Sequence, residues 1–451
     1  MTVIEQLPGH FPPEDGTSWS EYWKRQGHAW RTEPEIDEKR QGELAKQQAI
    51  PSDIHQGIYP FKNTKLSRAD IEWLLANHEN GCGLVIHNDE SQQRRAGLDL
   101  RGADLRQVNL SGLPLTQIRG GLNQEERLCI SNQEAEAAAV HLEGADLSKA
   151  HLERADLYGA YLKGATFYRT RMEECYLKKA HLEQASLYRA HLERAGVMDA
   201  HVEDADLREA HLEGSNLKGT RLEGAILDEA FLDSATNLRN TVLGTKGSRY
   251  ASLADVRWGG VNLAVVNWVQ IKMLGDEQRA RQSTTSDGKK KDRLTRLAEY
   301  QTAVRASRQL SAVLRAQGLQ EEADYFAYRA QILCRRILWW QHKLPAFAFA
   351  WFLYLISGYG YRPVRSFAVY LLIILVFTMI YTLLGTASHN LHLSWYEGLV
   401  ISLTAFHGRG FFADQFKPGD IQAFVAAIEA VVGLIIEISF IATFTQRFFG
   451  K

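Results

Sequence analysis

The sequence is poor in cysteine. Its 451 residues contain four: Cys82, Cys129, Cys175 and Cys334. No pair has CxxC spacing, so neither a disulfide framework nor a cysteine-based metal site is expected. Net charge is almost absent as well, with 52 Lys and Arg against 53 Asp and Glu. That balance excludes a globally basic nucleic-acid binder and a globally acidic tail protein. The opening residues lack a basic stretch followed by an apolar one, so no secretory signal is expected. There is no P-loop, GxSxG or HExxH, and hence no sign of an enzyme, a cofactor or a metal site. A mean hydropathy of −0.27 suggests a soluble chain. The apolar residues are unevenly spread, however, and their placement divides the chain into regions.

Residues 1–96 are polar and irregular, with Pro8, Pro12, Pro13, Pro34 and Pro51. They read as an N-terminal cytoplasmic arm covering the next domain, with Trp19, Trp23 and Trp30 as anchors. One helix is expected from about Ser67 to His78, because Ser67 and Asp70 have capping-box spacing and Ile71, Leu74 and Leu75 share a face.

Residues 97–268 contain an internal repeat. From Val140 to Ser234 the chain divides without a gap into 19 units of five. Each has a central apolar residue, from Leu142, Leu147 and Leu152 through Phe167 and Met172 to Leu232. Two places before each centre stands Ala in 14 units, and otherwise Val140, Thr170, Cys175, Ser215 or Thr220. A period of five fits neither a helix nor a flat strand. It fits a chain that turns a corner every five residues, with two side chains per unit pointing into a narrow interior. Such a solenoid is held by stacking between neighbouring coils and needs caps at its ends.

The pattern resembles the pentapeptide-repeat family, written A(D/N)LXX. The resemblance implies a right-handed quadrilateral β-helix with four units per coil. A set centred on Leu100, Leu105, Leu110 and Leu115 would add one coil, followed by a polar insertion from Gln117 to Ala139. A set centred on Leu253, Trp258, Leu263 and Trp268 would add another, with Ala251, Val256, Val261 and Val266 inside.

The exposed positions carry a second pattern. His141, His151, His181, His191, His201 and His211 each precede a unit centre. Glu143, Glu153, Glu183, Glu193, Glu203 and Glu213 follow two places later. With four sides, His181 would stack on His201, and His191 on His211. Stacked imidazoles could approach ligand distance of a metal, but the adopted reading is a solvated His/Glu ladder. Between 140 and 234 there are 18 Asp and Glu and 12 Lys and Arg, interleaved. A mixed field of this kind gives no reason to expect a nucleic-acid partner or a DNA mimic.

Residues 269–343 read as a basic helical hairpin linker, with one helix from about Lys291 to Ala316 and a second from Leu319 toward Trp340. Between Gln278 and Lys343, 14 Lys and Arg face 6 Asp and Glu. This is expected to be a juxtamembrane belt facing membrane lipids.

Residues 344–451 read as a membrane module. Ser366 to Ala387 is uncharged over 22 residues, and Ile421 to Thr445 is a second apolar stretch of 25. Each is long enough to cross, since a span needs about 20. Leu393 to Ala405 is too short and reads as a re-entrant half-helix. Leu344 to Ser357 reads as an interfacial helix, because crossing would separate Arg362 and Arg365 from Arg335 and Arg336. Both termini are then cytoplasmic and the chain is multi-pass in the cytoplasmic membrane.

The order helix, re-entrant helix, Gly-containing segment, helix resembles the two-transmembrane pore module of the potassium-channel superfamily. The inner helix is similar to that of inward-rectifier channels. The fold class implied is a multidomain membrane protein: a β-helix, a helical hairpin and an all-α pore module. Phe406, His407, Gly408, Arg409 and Gly410 stand where the family carries its TxGYG selectivity filter, and only the two glycines match. Gly433 takes the hinge position and Glu437 that of an acidic residue facing the cavity, making both pore-lining or gating candidates. Glu429 and Thr404 are candidates for filter support. At 100° per residue, Glu429 and Glu437 lie about 80° apart, with Gly433 between them. The resemblance implies a homotetrameric ion channel, with a cation favoured as permeant ion and an anion as the alternative. The repeat domain would sense or assemble, through an unknown cytoplasmic ligand or protein. The alternative is a membrane-tethered oligomeric scaffold without conductance.

Overall fold

A computed structural model describes residues 18–78, 97–285, 288–388, 393–408 and 421–448. The chain divides into two compact units, Met1–Ala323 and Asp324–Lys451. The division falls inside the expected hairpin, just past the start of its second helix.

The first unit is the solenoid with its caps. Parallel bridges join residues 20 apart, as in His141, Tyr161, His181, His201 and Arg221. Five residues per side and 20 per turn make four sides. Each side contributes a single bridge and then a corner, so no long strand forms. The corner is a four-residue turn, for example Ala145 N–H donating to Leu142 O at 3.0 Å. Its third residue has positive φ, as at Gly144 (67°) and Lys149 (58°). A glycine there is unstrained, whereas lysine adopts this backbone at a cost of roughly 1 kcal/mol. Unit centres and the alanines two places before them are buried throughout. The non-alanine exceptions are explained by buried hydrogen bonds. Thr170 Oγ1 donates to Leu147 O and Thr220 Oγ1 to Val197 O, both at 2.7 Å. Ser215 and Cys175 likewise donate to Leu212 O and Ala155 O. A small polar side chain fits the narrow interior only because a carbonyl is there to receive it.

The repeat is longer than its regular stretch. One extra residue near Ser234 shifts the register, so Asn216 bridges Asn237 rather than residue 236. Two further units then centre on the buried Leu238 and Leu243, with Thr236 and Thr241 inside. Leu253 and Trp258 continue the wall through bridges at Ser252 and Arg257. Leu263 and Trp268 do not. They lie in short 3-10 turns, Leu263–Val265 and Trp268–Gln270. The reason is local: Asn262 caps the first turn, and the Trp268 indole donates to Leu263 O at 2.8 Å. These residues plug the solenoid instead of adding a coil. The insertion also starts later than Gln117. Arg119 still bridges Asp156, and Gly120 O accepts from Val140 N–H. The chain leaves the wall only after completing that side.

Helices close both ends. At the N-terminal end are α1 (Trp19–Arg25), α2 (Glu38–Gln48) and α3 (Arg68–Asn77). Ser67 and Asp70 form the expected capping box. Lys65 bridges Asp104, setting Leu66 onto the first coil. Of the three tryptophans, only Trp23 is buried, with its indole donating to Glu33 O at 2.8 Å. The insertion carries α4 (Asn132–Ala137). At the C-terminal end are α5 (Gly275–Arg281) and α6 (Arg293–Ala316). Gln309 and Gln317 of this end pair with open backbone and side-chain groups of the last coil, at Asp255, Val261 and Leu263. The first helix of the expected linker is therefore part of the solenoid cap.

The described residues of the second unit form helices joined by short turns. The unit contains most of α7 (Gln320–Trp340), then α8 (Leu344–Ser357), α9 (Pro363–Ser388), α10 (Trp395–Phe406) and α11 (Ile421–Phe448). Among the described residues, two helices are long and apolar enough to cross a membrane, at Pro363–Leu384 and Ile421–Ala442. Most of their apolar side chains are exposed, as Leu372, Leu375, Val431 and Ile441 show. The short α10 packs against both.

Candidate functional site

The end of α10 is where the sequence placed its candidates. Ser394 and Glu397 cap the start of this helix reciprocally, which the sequence reading did not anticipate. Phe406 ends it fully buried, packed with Ile374 and Ile436. The Tyr370 ring meets Phe406 edge-on at 5.0 Å. Phe406, expected in a filter, is thus a core residue of this unit, because an aromatic ring gains most by leaving the polar surface. Gly433, expected to line a pore or hinge, is buried beneath it. A Cβ at Gly433 would overlap the Phe406 carbonyl oxygen. Glycine is needed there so that α11 can approach the end of α10.

His407 follows. Its Nδ1 lies 2.7 Å from Leu403 O and must carry the proton, since a carbonyl only accepts. Its Nε2 stands 3.3 Å from Glu437 Oε1 and 3.5 Å from the Tyr370 hydroxyl. His407 and Glu437 are thus brought together from two helices. Gly408 follows with φ of 65°. Arg409, Gly410, and Asp414 and Asp420 beyond them, lie outside the described residues.

Glu429 is fully buried behind α10. It accepts from the Tyr381 hydroxyl at 2.8 Å and from Ser402 Oγ at 2.5 Å. This polar knot joins α9, α10 and α11. Sequence reasoning singled out Glu429 but missed Tyr381 and Ser402. Ser402 was legible as a polar residue on the inner face of α10, two places before Thr404. Thr404 turns back on its own helix, donating to Val400 O or Ile401 O.

At the other end of this unit, three arginines gather on two tyrosines. Arg335 and Arg365 lie 4.2 and 4.6 Å from the centre of the Tyr354 ring. Arg362 lies 4.9 Å over Tyr328. Positive charges before α8 and after it therefore lie side by side.

On the solenoid, the expected stacks are present. His181 lies 5.0 Å from His201, and His191 4.8 Å from His211, with rings within 10° of parallel. His141 and Tyr161 extend one of these stacks, and Phe231 the other. Each imidazole Nδ1 approaches the glutamate two residues on, at 3.1–3.4 Å. Arg171 occupies an equivalent place, and its Nε bridges Glu153 at 3.1 Å and Glu173 at 3.2 Å. The stripe is therefore a set of stacked carboxylates, each approached by a nitrogen from the neighbouring position. The groups His191, Glu193, His211 and Glu183, His201, Glu203 bring ligand atoms within 4.8 Å. Parallel rings aim their nitrogens along parallel lines and not at a common point.

Two acids elsewhere in this unit are perturbed. Burial, reinforced by the nearby Asp228 carboxylate, pushes the Asp276 carboxyl up to about 7. The Arg106 guanidinium holds Asp104 down at about 2.

The family model for pentapeptide repeats matches residues 138–173 and 203–243, in eight copies. None of the curated proteins matches the chain. Among solved structures, a pentapeptide-repeat protein from the cyanobacterium Cyanothece 51142 is 31% identical, over 33% of this chain and 88% of that one, with a TM-score of 0.21. HetL, a pentapeptide-repeat protein involved in heterocyst differentiation regulation in Nostoc, is 21% identical over 44% of this chain and 93% of that one, at a TM-score of 0.16. A pentapeptide-repeat protein of the Arabidopsis thaliana thylakoid lumen is 21% identical over 35% and 88%, at 0.15.

Proposed function

We infer that this chain, which carries a pentapeptide-repeat domain, is one subunit of a homotetrameric ion channel in the cytoplasmic membrane. The observation that carries the reading is the second unit's layout. A short capped helix is clasped between two helices of spanning length by the Glu429 knot. The clasp holds His407 and Gly408 at a defined point beside α11. One such segment closes no pore, so a ring of subunits is required.

The ion is a cation. The C-terminal end of α10 carries the negative pole of the helix dipole, and Glu437 adds a carboxylate beside it. The clustering of Arg335, Arg362 and Arg365 supports an α8 that stays on one side of the membrane, because a charge-free bilayer core of about 30 Å would otherwise part them. Termini and repeat domain are then cytoplasmic by the positive-inside rule.

The test is recording from the purified protein in planar bilayers. Unitary currents with a reversal potential set by the cation gradient in asymmetric KCl and NaCl are expected. Glu437→Gln is expected to change conductance or rectification. Unchanged currents in that variant would remove Glu437 from the pathway. A silent protein across voltages would leave a membrane-tethered scaffold instead.

A further inference from the structure

The insertion between the first two coils builds a cavity against the solenoid wall, and no feature of the pore reading uses it. The cavity is about 420 Å³ and is lined by Arg127, Leu128, Ile130, Tyr176, Lys178, Lys179 and Met198, among others. That lies within the range of about 300–1,000 Å³ usual for small-molecule sites.

Its chemistry is divided. One part is cationic. Neither Lys178 nor Lys179 has an ionic or hydrogen-bond partner for its ammonium among the described residues. Arg127 joins them, braced by a 2.7 Å bond to the Tyr176 hydroxyl, with its guanidinium 4.0 Å over the Tyr158 ring. The other part is flat and apolar. Tyr158 and Tyr176 lie nearly parallel with centres 6.4 Å apart. On the His-bearing side, rings follow one another from coil to coil. Above Tyr176 the next coil supplies Gly196, which has no side chain to continue the stack. Met198 reaches that place, its Cε 3.7 Å from where a Gly196 Cβ would stand. Ile130 and Leu128 line the same cavity, and Leu128 is 84% exposed, a conspicuous position for a leucine.

The insertion is folded for its place. Asn123 caps the 3-10 turn Glu126–Cys129, and Ser131 with Glu134 caps α4. Ala135 and Ala138 pack on Leu122, Tyr59 and Tyr158. The cavity roof is therefore a built element with its own core.

We propose that this cavity binds a nucleoside phosphate, with the phosphate on Lys178, Lys179 and Arg127 and the base against Tyr176, Met198 and Leu128. Three cations lining one cavity are the chemistry of a phosphate site, and an apolar wall of Tyr176, Met198 and Leu128 suits a planar base. The proposal stands on the first unit alone and is independent of ion conduction.

The test uses the full-length protein in detergent, titrated calorimetrically with AMP, ADP and ATP, and with adenosine and inorganic phosphate as part-ligands. Saturable binding of a nucleotide below about 1 mM is expected, with both part-ligands weaker. The double variant Lys178→Gln, Lys179→Asn removes both charges, and Asn tolerates the positive φ of position 179. It is expected to weaken binding at least tenfold, and Tyr176→Leu to do so separately, each with an unfolding profile like that of the parent. No saturable binding by the folded parent overturns the proposal. So does equal affinity in the lysine variant. Inorganic phosphate binding as tightly as the nucleotides would show a bare anion site and overturn the nucleoside assignment.

Discussion

The two units hold their polar groups in opposite ways. In the solenoid nearly every coil repeats the same arrangement: a buried leucine, a buried alanine, a corner, and a bridge to the coil above. In the helical unit one buried arrangement occurs once, with Glu429, Tyr381 and Ser402 drawn from three helices. A repeated structure spreads its stability over many equivalent contacts. A single knot concentrates specificity in a few hydrogen bonds that have no substitute. The solenoid should therefore tolerate loss at one rung and the helical unit should not tolerate loss of its knot.

The sharpest attack on that contrast is on the largest central side chain of the regular repeat between Val140 and Ser234. Phe167→Ala is expected to cost about 3–5 kcal/mol in chemical denaturation, since the narrow interior cannot collapse around the void. The coils on either side should keep their hydrogen-exchange protection. If protection is lost from end to end, the solenoid is one cooperative block and the contrast fails.

Glu429→Ala is next, at about 2–4 kcal/mol in thermal unfolding of the detergent-solubilised protein, because the buried Tyr381 hydroxyl loses its acceptor and Ser402 keeps only Ile374 O, at 3.1 Å. Glu429→Gln should recover most of the loss, since its carbonyl still accepts. A variant with alanine as stable as the parent would show that the knot holds nothing.

The third prediction concerns pH. Asp276 is raised on folding, so it favours the protonated folded form. Its stabilising contribution is complete below pH 4, falls as pH rises, and is gone above about 7. The change is at most about 4 kcal/mol. Asp276→Asn should flatten the profile between those limits, because the amide still accepts from Leu253 N–H, a bond of 2.8 Å in the parent.

The smallest effect tests the corners. Lys149 holds positive φ where other units use glycine. Lys149→Asn is expected to stabilise the solenoid by about 0.5–1 kcal/mol, as asparagine enters this backbone at lower cost.

How much of this was legible varies with the range of the forces involved. The five-residue period shows through the sequence because the same packing constraint recurs at every coil. It became illegible where one residue near Ser234 broke the phase, so the units at Leu238 and Leu243 were missed although Thr236 and Thr241 mark them. The two long helices were visible from length and apolarity alone. The ends of the solenoid were not. Leu263 and Trp268 keep the spacing yet form 3-10 turns, because no further coil exists for them to pair with. Gln309 and Gln317 look like ordinary exposed residues of a basic helix until the edge of the last coil is set beside them.

The sequence by itself determined the repeat, its stacked histidines, the two helices long and apolar enough to span a membrane and the candidates at the end of α10. Each depends on spacing along one segment. Only the tertiary structure decided which candidates meet. It buried Phe406 and Gly433 against each other, set His407 beside Glu437, and gave Glu429 its two hydroxyl donors. It also folded residues 122–139 over Tyr176 to make a cavity. Those outcomes depend on the approach of elements distant in the chain, and a close approach is fixed by the shapes of both surfaces, which no single segment contains.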